Sequence, residues 1–160
     1  STLCFFAGLF ILVGGLEHSG IIDLITEWII SFSSNADGTI SQESERNLSI
    51  MLIWLSGGLS AIIDNIPFAT TMAPVVSDLL SSNETINAGT GTNPLWWALT
   101  LGADLGGNFT IVGASANVVV FTMARARGYP ISFFQFFKYG AVISILSLAV
   151  STGYVMLRYY

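Results

Sequence analysis

The chain has 160 residues, 52% of them hydrophobic and 9% charged, with a net charge of −5. A soluble domain carries about 25% charged residues, so there is too little polar material to coat one, which excludes a soluble enzyme and a disordered tail. The acidic balance argues against nucleic acid as a partner, and a lone cysteine, Cys4, excludes an internal disulfide and a Cys-rich metal site.

What remains is an integral membrane protein, or part of one, with the lipid bilayer as its first partner. Residue 1 is Ser rather than Met, and no basic stretch precedes the opening apolar run, so a signal peptide is not expected. The expectation is a segment of a longer chain.

Thr2–Leu16 is apolar and ends at Glu17 and His18. A transmembrane helix is expected over residues 1–18, somewhat short of the ~20 residues that span a bilayer. The His18–Glu17 pair reads as an interfacial cap, with a proton relay as the alternative. Ile21, Leu24, Ile25, Trp28, Ile29 and Phe32 recur at helical spacing. They predict an amphipathic helix over 20–32, suited to lying at the membrane interface. A polar loop follows, from Ser33 to Asn47.

Leu48–Ile63 is apolar, then Asp64-Asn65-Ile66-Pro67, then a second apolar arm, Phe68–Leu80. Each arm is short for a crossing. Pro has no N–H and disfavours helix at the residue before it, so Asn65-Ile66-Pro67 reads as a breaker. Residues 48–80 are therefore expected to form a re-entrant hairpin with its tip near mid-membrane. Ser81–Asn93 is a second polar loop, carrying an Asn83-Glu84-Thr85 sequon of a kind common by chance.

Pro94–Leu105 is apolar, with Trp96 and Trp97 suited to an aromatic belt. Gly106-Gly107-Asn108 interrupts it, and the apolar pattern resumes to Ala126. Residues 94–126 read as one discontinuous helix. Tyr139–Leu157 is uncharged between Lys138 and Arg158, and a last transmembrane helix is expected over 132–158. Arg125, Arg127 and Lys138 share one loop, which the positive-inside rule makes cytoplasmic. The two polar loops then face outward, and the hairpin enters from outside.

Of the fifteen charged residues, only Asp64 and Asp104 fall at the interruptions in the apolar segments. A carboxylate at membrane depth is costly unless it meets a partner or a wet cavity. Broken backbone at depth is tolerated only where protein or a water-filled site satisfies it, and transporters use such breaks to bind ions. Asn65 and Asn108 can donate and accept hydrogen bonds, and Thr110, Ser115 and Asn117 add hydroxyls and an amide. Gly106, Gly107 and Gly113 permit close backbone approach. The competing readings are local: each Asp caps a helix end, and the glycines, with Gly57, Gly58 and Gly102, serve helix packing. No Walker pattern supports a phosphate loop. No catalytic Ser/His/Asp set or metal-ligand spacing occurs, so no enzyme is expected.

The segments SAIIDNIPFATTMAPVV (Ser60–Val76) and LGADLGGNFTIVGASANVVV (Leu101–Val120) strongly resemble the ion transporter superfamily. The branch is that of arsenite permeases, type-D sodium/proton antiporters and the melanosomal P-protein, with a citrate-transporter-like domain. LCFFAGLFILVGGLEHSGIID (Leu3–Asp23) and NPLWWALTLGAD (Asn93–Asp104) fit the same branch. The resemblance implies an all-α membrane fold of two inverted repeats, each giving a re-entrant hairpin and an unwound helix to one central site. It implies that residues 1–160 are the C-terminal part of that transmembrane domain, completed by a separate N-terminal repeat. It places Asp64, Asn65, Ile66 and Pro67 at the hairpin tip and Gly113 to Asn117 in the unwound segment.

The expected ion-binding set is Asp64, Asn65, Pro67, Thr70, Asp104, Gly107, Asn108, Thr110, Gly113, Ser115 and Asn117. The expected activity is secondary transport of a small inorganic ion, by Na+- or H+-coupled antiport or arsenite-type efflux, with elevator-like motion past a scaffold. No cofactor is expected beyond a Na+ or H+ coupling ion. A di- or tricarboxylate substrate is one alternative, although Asp64 would repel a carboxylate unless a cation lay between them. A non-transporting scaffold subunit is another, and it requires Asp64 and Asp104 at opposite membrane faces. The protein is expected to be multi-pass, in a plasma or organellar membrane, with a homodimer left open.

Overall fold

The computed structural model describes residues 42–81 and 93–160, and isolated positions between 7 and 31. The expected helices over 1–18 and 20–32, Glu17 and the sequon lie outside this description. Five α-helices have both ends among the described residues: α1 (Gln42–Ser60), α2 (Asn65–Ser81), α3 (Pro94–Gly106), α4 (Ser115–Ala126) and α5 (Phe133–Tyr159). No strand occurs among the described residues, and the chain is an all-α membrane protein.

Four of these helix starts have a local cause. Glu43 and Glu45 lie in the first turn of α1, where acids suit the helix dipole. Asn93 caps α3 by accepting from the Leu95 amide at 2.8 Å, with Pro94 at the first helical position. Ser132 caps α5 by accepting from the Gln135 amide. Asp64 caps α2, its Oδ1 accepting from the Ile66 amide at 3.2 Å.

The hairpin break differs from the expectation. Asn65, Ile66 and Pro67 form the first turn of α2, and the break is residues 61–64. First-turn amides have no intrahelical acceptor, so Pro67 costs nothing there. Pro74, by contrast, sits inside α2 and removes the amide that would bond the Thr70 carbonyl. The second break also shifts. A single 3-10 turn, Gly107–Phe109, extends α3, and residues 110–114 are non-helical. Ser115 and Asn117 therefore belong to the first turn of α4 rather than to the unwound segment.

Side-chain contacts fix the helix directions. Glu45 meets Asn93 and Gly57 meets Gly106, so α1 and α3 run parallel. Ser49 bonds Tyr160 and Gly57 meets Leu148, so α5 runs antiparallel to both. Asn65 reaches Asp104 at one end of α2, and a groove joins Ala73 to Trp96 nearer the other, so α2 returns antiparallel to α3. Leu48, Leu52, Ile53, Val75, Val76, Leu79, Leu95 and Leu148 form the core.

α5 serves as a ruler for depth. It is the one described helix long and apolar enough to cross a membrane, at 27 residues. Leu148, which meets Gly57 near the end of α1, lies about 17 Å along the axis from Tyr159 and about 22 Å from Phe133. The breaks lie further toward the start of α5: a Cβ on Gly140, about 10 Å along the axis from Phe133, would meet the carbonyls of Asn108 and Phe109. Only one stripe of α5 is buried: Gly140, Ser144, Leu148, Ser151 and Val155. Its other faces, and all of α4, carry exposed apolar side chains such as Val119, Met123, Ile145 and Leu157. Apolar surface on this scale belongs against lipid or further protein.

The ends of α1, α3 and α5 remote from the breaks are tied by polar contacts at the edge of the apolar run that starts at Leu48. Asn93 donates to Glu45 at 3.5 Å, and Ser49 shares a 2.9 Å hydrogen bond with Tyr160. Burial raises the Tyr160 hydroxyl to about 12, the Ser49 bond opposing this and the nearby Glu45 charge adding to it. Burial also holds the Glu45 carboxyl above its usual 4.5, with the Asn93 bond opposing. Folding therefore favours protonated Glu45, and its contribution is lost as pH rises from the unfolded value through the raised one. Glu45→Gln is expected to reduce the fall in melting midpoint between pH 4 and pH 8, by at most about 1 kcal/mol given its exposure.

Candidate functional site

Two helix ends and two helix starts converge at the breaks. α1 and α3 end there and present carbonyls; α2 and α4 begin there and present amides. Asp64 stands at the junction. Its Oδ1 caps α2 through Ile66, while its Oδ2 accepts from the Ser115 hydroxyl at the start of α4. Since α4 has no side-chain cap of its own, the carboxylate lies beside two positive helix ends. The capping reading of Asp64 is thus correct for one oxygen, and the other ties the hairpin tip to the broken helix.

Asn65, the next residue, donates from Nδ2 to Asp104 Oδ1 at 3.3 Å. Asp64 and Asp104 accordingly flank one asparagine. The opposite-face arrangement that a scaffold subunit requires is absent.

The unwound segment is held by side chains that replace the missing helical bonds. Thr110 donates to the Ala61 carbonyl and accepts from the Gly113 amide at 2.9 Å. Asn117 donates from Nδ2 to the carbonyls of Gly107 and Thr110, each at 2.9 Å. Ser60 donates to the Ala103 carbonyl. A Cβ on Gly113 would come within 2.6 Å of the Gly107 carbonyl oxygen and 2.9 Å of that of Ser60. Only glycine fits at that approach.

Thr110 is buried, and replacing it with Val would strand both the Ala61 carbonyl and the Gly113 amide. Thr110→Val is expected to destabilise the purified full-length protein by about 2 kcal/mol, read as a lower thermal unfolding midpoint. An unchanged midpoint would remove Thr110 from this role.

The cluster thus gathers Asp64, Asn65, Asp104, Gly107, Thr110, Gly113, Ser115 and Asn117. Three other expected residues make no hydrogen bond to this cluster, although Thr70 lines a groove with Asn65 and Asp104. Pro67 occupies the first turn of α2, and Thr70 bonds the Ile66 carbonyl on its own helix. Asn108 is exposed and lines a different cavity, of about 440 Å³, with Gln135 and Tyr139 of α5. Ser60 and the Ala61 carbonyl were not singled out from the sequence. Ser60 lies at the edge of the DNIP segment, and a backbone carbonyl leaves no sequence signal.

Comparison with known proteins gives these features a family. No solved structure matches the chain. A 46 kDa membrane protein of Mycobacterium leprae is 42% identical over 158 residues, covering 99% of this chain and 34% of that protein. An uncharacterized transporter of Mycobacterium tuberculosis is 41% identical over 159 residues, again 99% of this chain and 34% of the relative. The human P protein is 37% identical over 161 residues, 99% of this chain and 18% of its own length. The chain therefore spans about a third of the mycobacterial relatives it matches. The family model described as citrate transporter matches residues 1–102, and the chain belongs to that citrate transporter family, within the ion transporter superfamily its motifs resemble.

Proposed function

We propose that this chain is the ion-binding half of a secondary transporter that moves a small inorganic ion coupled to Na+ or H+. The observation that carries the reading is the Asp64–Ser115 contact, which joins the hairpin tip to the start of the broken helix beside Asn65 and Asp104. In the reading, α1 and α2 re-enter the membrane from outside, and their tip lies beyond the level of Leu148 of α5, toward Gly140. Asp64 supplies the negative charge for the coupling cation. Asn65, Thr110, Ser115 and Asn117 supply hydroxyl, amide and carbonyl oxygens, with the freed carbonyls of the breaks, as hard cations favour. The site is completed by a second half of the transporter, which the coverage of the mycobacterial relatives leaves room for, and the assembled protein is multi-pass.

A carboxylate substrate is the second reading, favoured by the description of the matching family. It requires a cation between Asp64 and the substrate. Flux by the full-length protein in proteoliposomes, screened over Na+, H+, arsenite and citrate, separates the two. Cation-coupled flux without citrate uptake supports the inorganic ion. Citrate uptake that needs a cation supports the second reading. No flux of any of these ions contradicts both.

A further inference from the structure

We propose that the groove between α2 and α3 is a water-filled path from the outer face, and that Asp104 at its floor is a separate station for a monovalent cation. The cation occupies Asp104 before it reaches Asp64. The inference rests on the cation-coupled reading above and adds a site to it.

The groove has a volume of about 400 Å³ and is lined by Asn65, Thr70, Ala73, Trp96, Thr100 and Asp104 among others. Among the described residues, Asp104 is the one ionisable group lining it. Trp96 lies in the first turn of α3, at the outer end, and Asp104 lies about 15 Å along the axis from Pro94. Asp104 is nonetheless exposed. An exposed carboxylate at that depth is incompatible with hydrocarbon, so water, a cation or the second half of the transporter faces it.

The groove wall is mostly apolar, with Ile66, Ala69, Leu99 and Ala103 in it, and the polar groups that could meet a cation are Asn65, Thr70, Thr100 and Asp104. Thr70 and Thr100 donate their hydroxyl protons to carbonyls of their own helices, Ile66 and Trp96. Their oxygen lone pairs remain as acceptors. Pro74 leaves the Thr70 carbonyl without its helical donor, on the turn that lines the groove. Asn65 is the only hydrogen-bond partner of Asp104 among the described residues. One carboxylate oxygen is thus engaged by Asn65, and Asp104 lines the groove. Asn65 also separates Asp104 from Asp64, whose two oxygens are engaged by Ile66 and Ser115. The two carboxylates are therefore differently equipped: Asp64 is held at the junction, and Asp104 waits at the end of a wet channel.

The test uses the full-length transporter with its native cysteines, Cys4 among them, replaced by serine. Thr100→Cys and Ala73→Cys are treated from the outside with membrane-impermeant methanethiosulfonates, one carrying an ammonium and one a sulfonate. Both positions are expected to react, and the ratio of cationic to anionic rates, normalised to that of a free thiol in solution, is expected to be about ten because the Asp104 charge concentrates cations in the groove. Asp104→Asn is expected to bring that ratio to about one, and Asp104→Glu to restore it. Na+ at fixed pH lowering the ratio assigns the station to Na+; acidification without Na+ lowering it assigns the station to a hydrated proton. In flux measurements Asp104→Asn is expected to raise the KM for the coupling cation about tenfold with kcat within about threefold.

The proposal is overturned if neither cysteine reacts, if the ratio survives Asp104→Asn, or if neither cation lowers it. Flux abolished by Asp104→Asn, as by Asp64→Asn, would also overturn it, because Asp104 would then belong to the central site. Should Asp104→Asn fail to reach the membrane, the reagent ratio with Asp104 intact decides, and a ratio near one contradicts the proposal. Charge-selective labelling alongside normal flux in Asp64→Asn would instead defeat the Asp64 reading and leave the groove standing.

Discussion

Asp64→Asn in the full-length protein is expected to reduce cation-coupled flux about a hundredfold while the protein reaches the membrane in normal amount. The substitution separates the two roles of this residue. Asparagine is as good an N-cap as aspartate, so the Ile66 amide keeps its acceptor and α2 keeps its start. What disappears is the negative charge and the charge-assisted bond from Ser115. Hydrogen bonds to charged groups contribute about 1.5–3 kcal/mol, and the upper part of that range corresponds to the expected loss. Flux is measured in vesicles and normalised to the amount of protein present. Flux equal to wild type would show that Asp64 only caps a helix.

The largest structural effect is expected at Gly106. A Cβ there would lie 2.3 Å from the Gly57 carbonyl oxygen and 2.4 Å from the Gly57 Cα. Both are backbone atoms, so no side-chain rotation relieves the clash, and α1 and α3 must separate. That separation would disturb the two helix ends that supply the site. Gly106→Ala is expected to cost about 3 kcal/mol or more. Gly57→Ala is milder, about 1 kcal/mol, because its Cβ meets the Leu148 Cδ1 at 2.7 Å and a leucine can shift. Gly58 has nothing within 4 Å, so Gly58→Ala is expected to be neutral or slightly stabilising, by about 0.5 kcal/mol. Thermal unfolding of the three purified variants checks the order. Equal midpoints for Gly106→Ala and Gly58→Ala would show that the helices do not cross as described.

The contrast among these glycines marks where the sequence stops being informative. Gly57, Gly58 and Gly102 look alike in an apolar run, and packing is a sound reading for all three. Gly57 and Gly102 do meet a neighbouring helix, whereas Gly58 faces open space. The difference lies in the rotation of each helix about its axis, which the sequence does not encode locally. The breaks were legible for a different reason. Pro, Gly and Asn beside a carboxylate in apolar surroundings are costly enough to demand an explanation. Their limits were less legible, because Pro67 is harmless in a first turn, and because the 3-10 turn at Gly107 to Phe109 extends α3. That turn also directs Asn108 toward the cavity at α5 instead of toward Asp64. The partners of Thr110 and Asn117 are backbone carbonyls, which only the folded chain brings within reach. The charge count along the chain was the most economical guide. It singled out Asp64 and Asp104, and the two prove to flank the same asparagine.

Equilibrium binding tests the central claim most directly. The purified full-length protein is titrated calorimetrically with the cation that drives flux, in wild-type, Asp64→Asn and Asp104→Asn forms. The account predicts saturable binding by wild type, retained at the Asp64 site in Asp104→Asn, and reduced to the weaker Asp104 station alone in Asp64→Asn. Binding by Asp64→Asn that matches wild type would contradict the claim that the hairpin tip and the broken helix hold the coupling cation at Asp64.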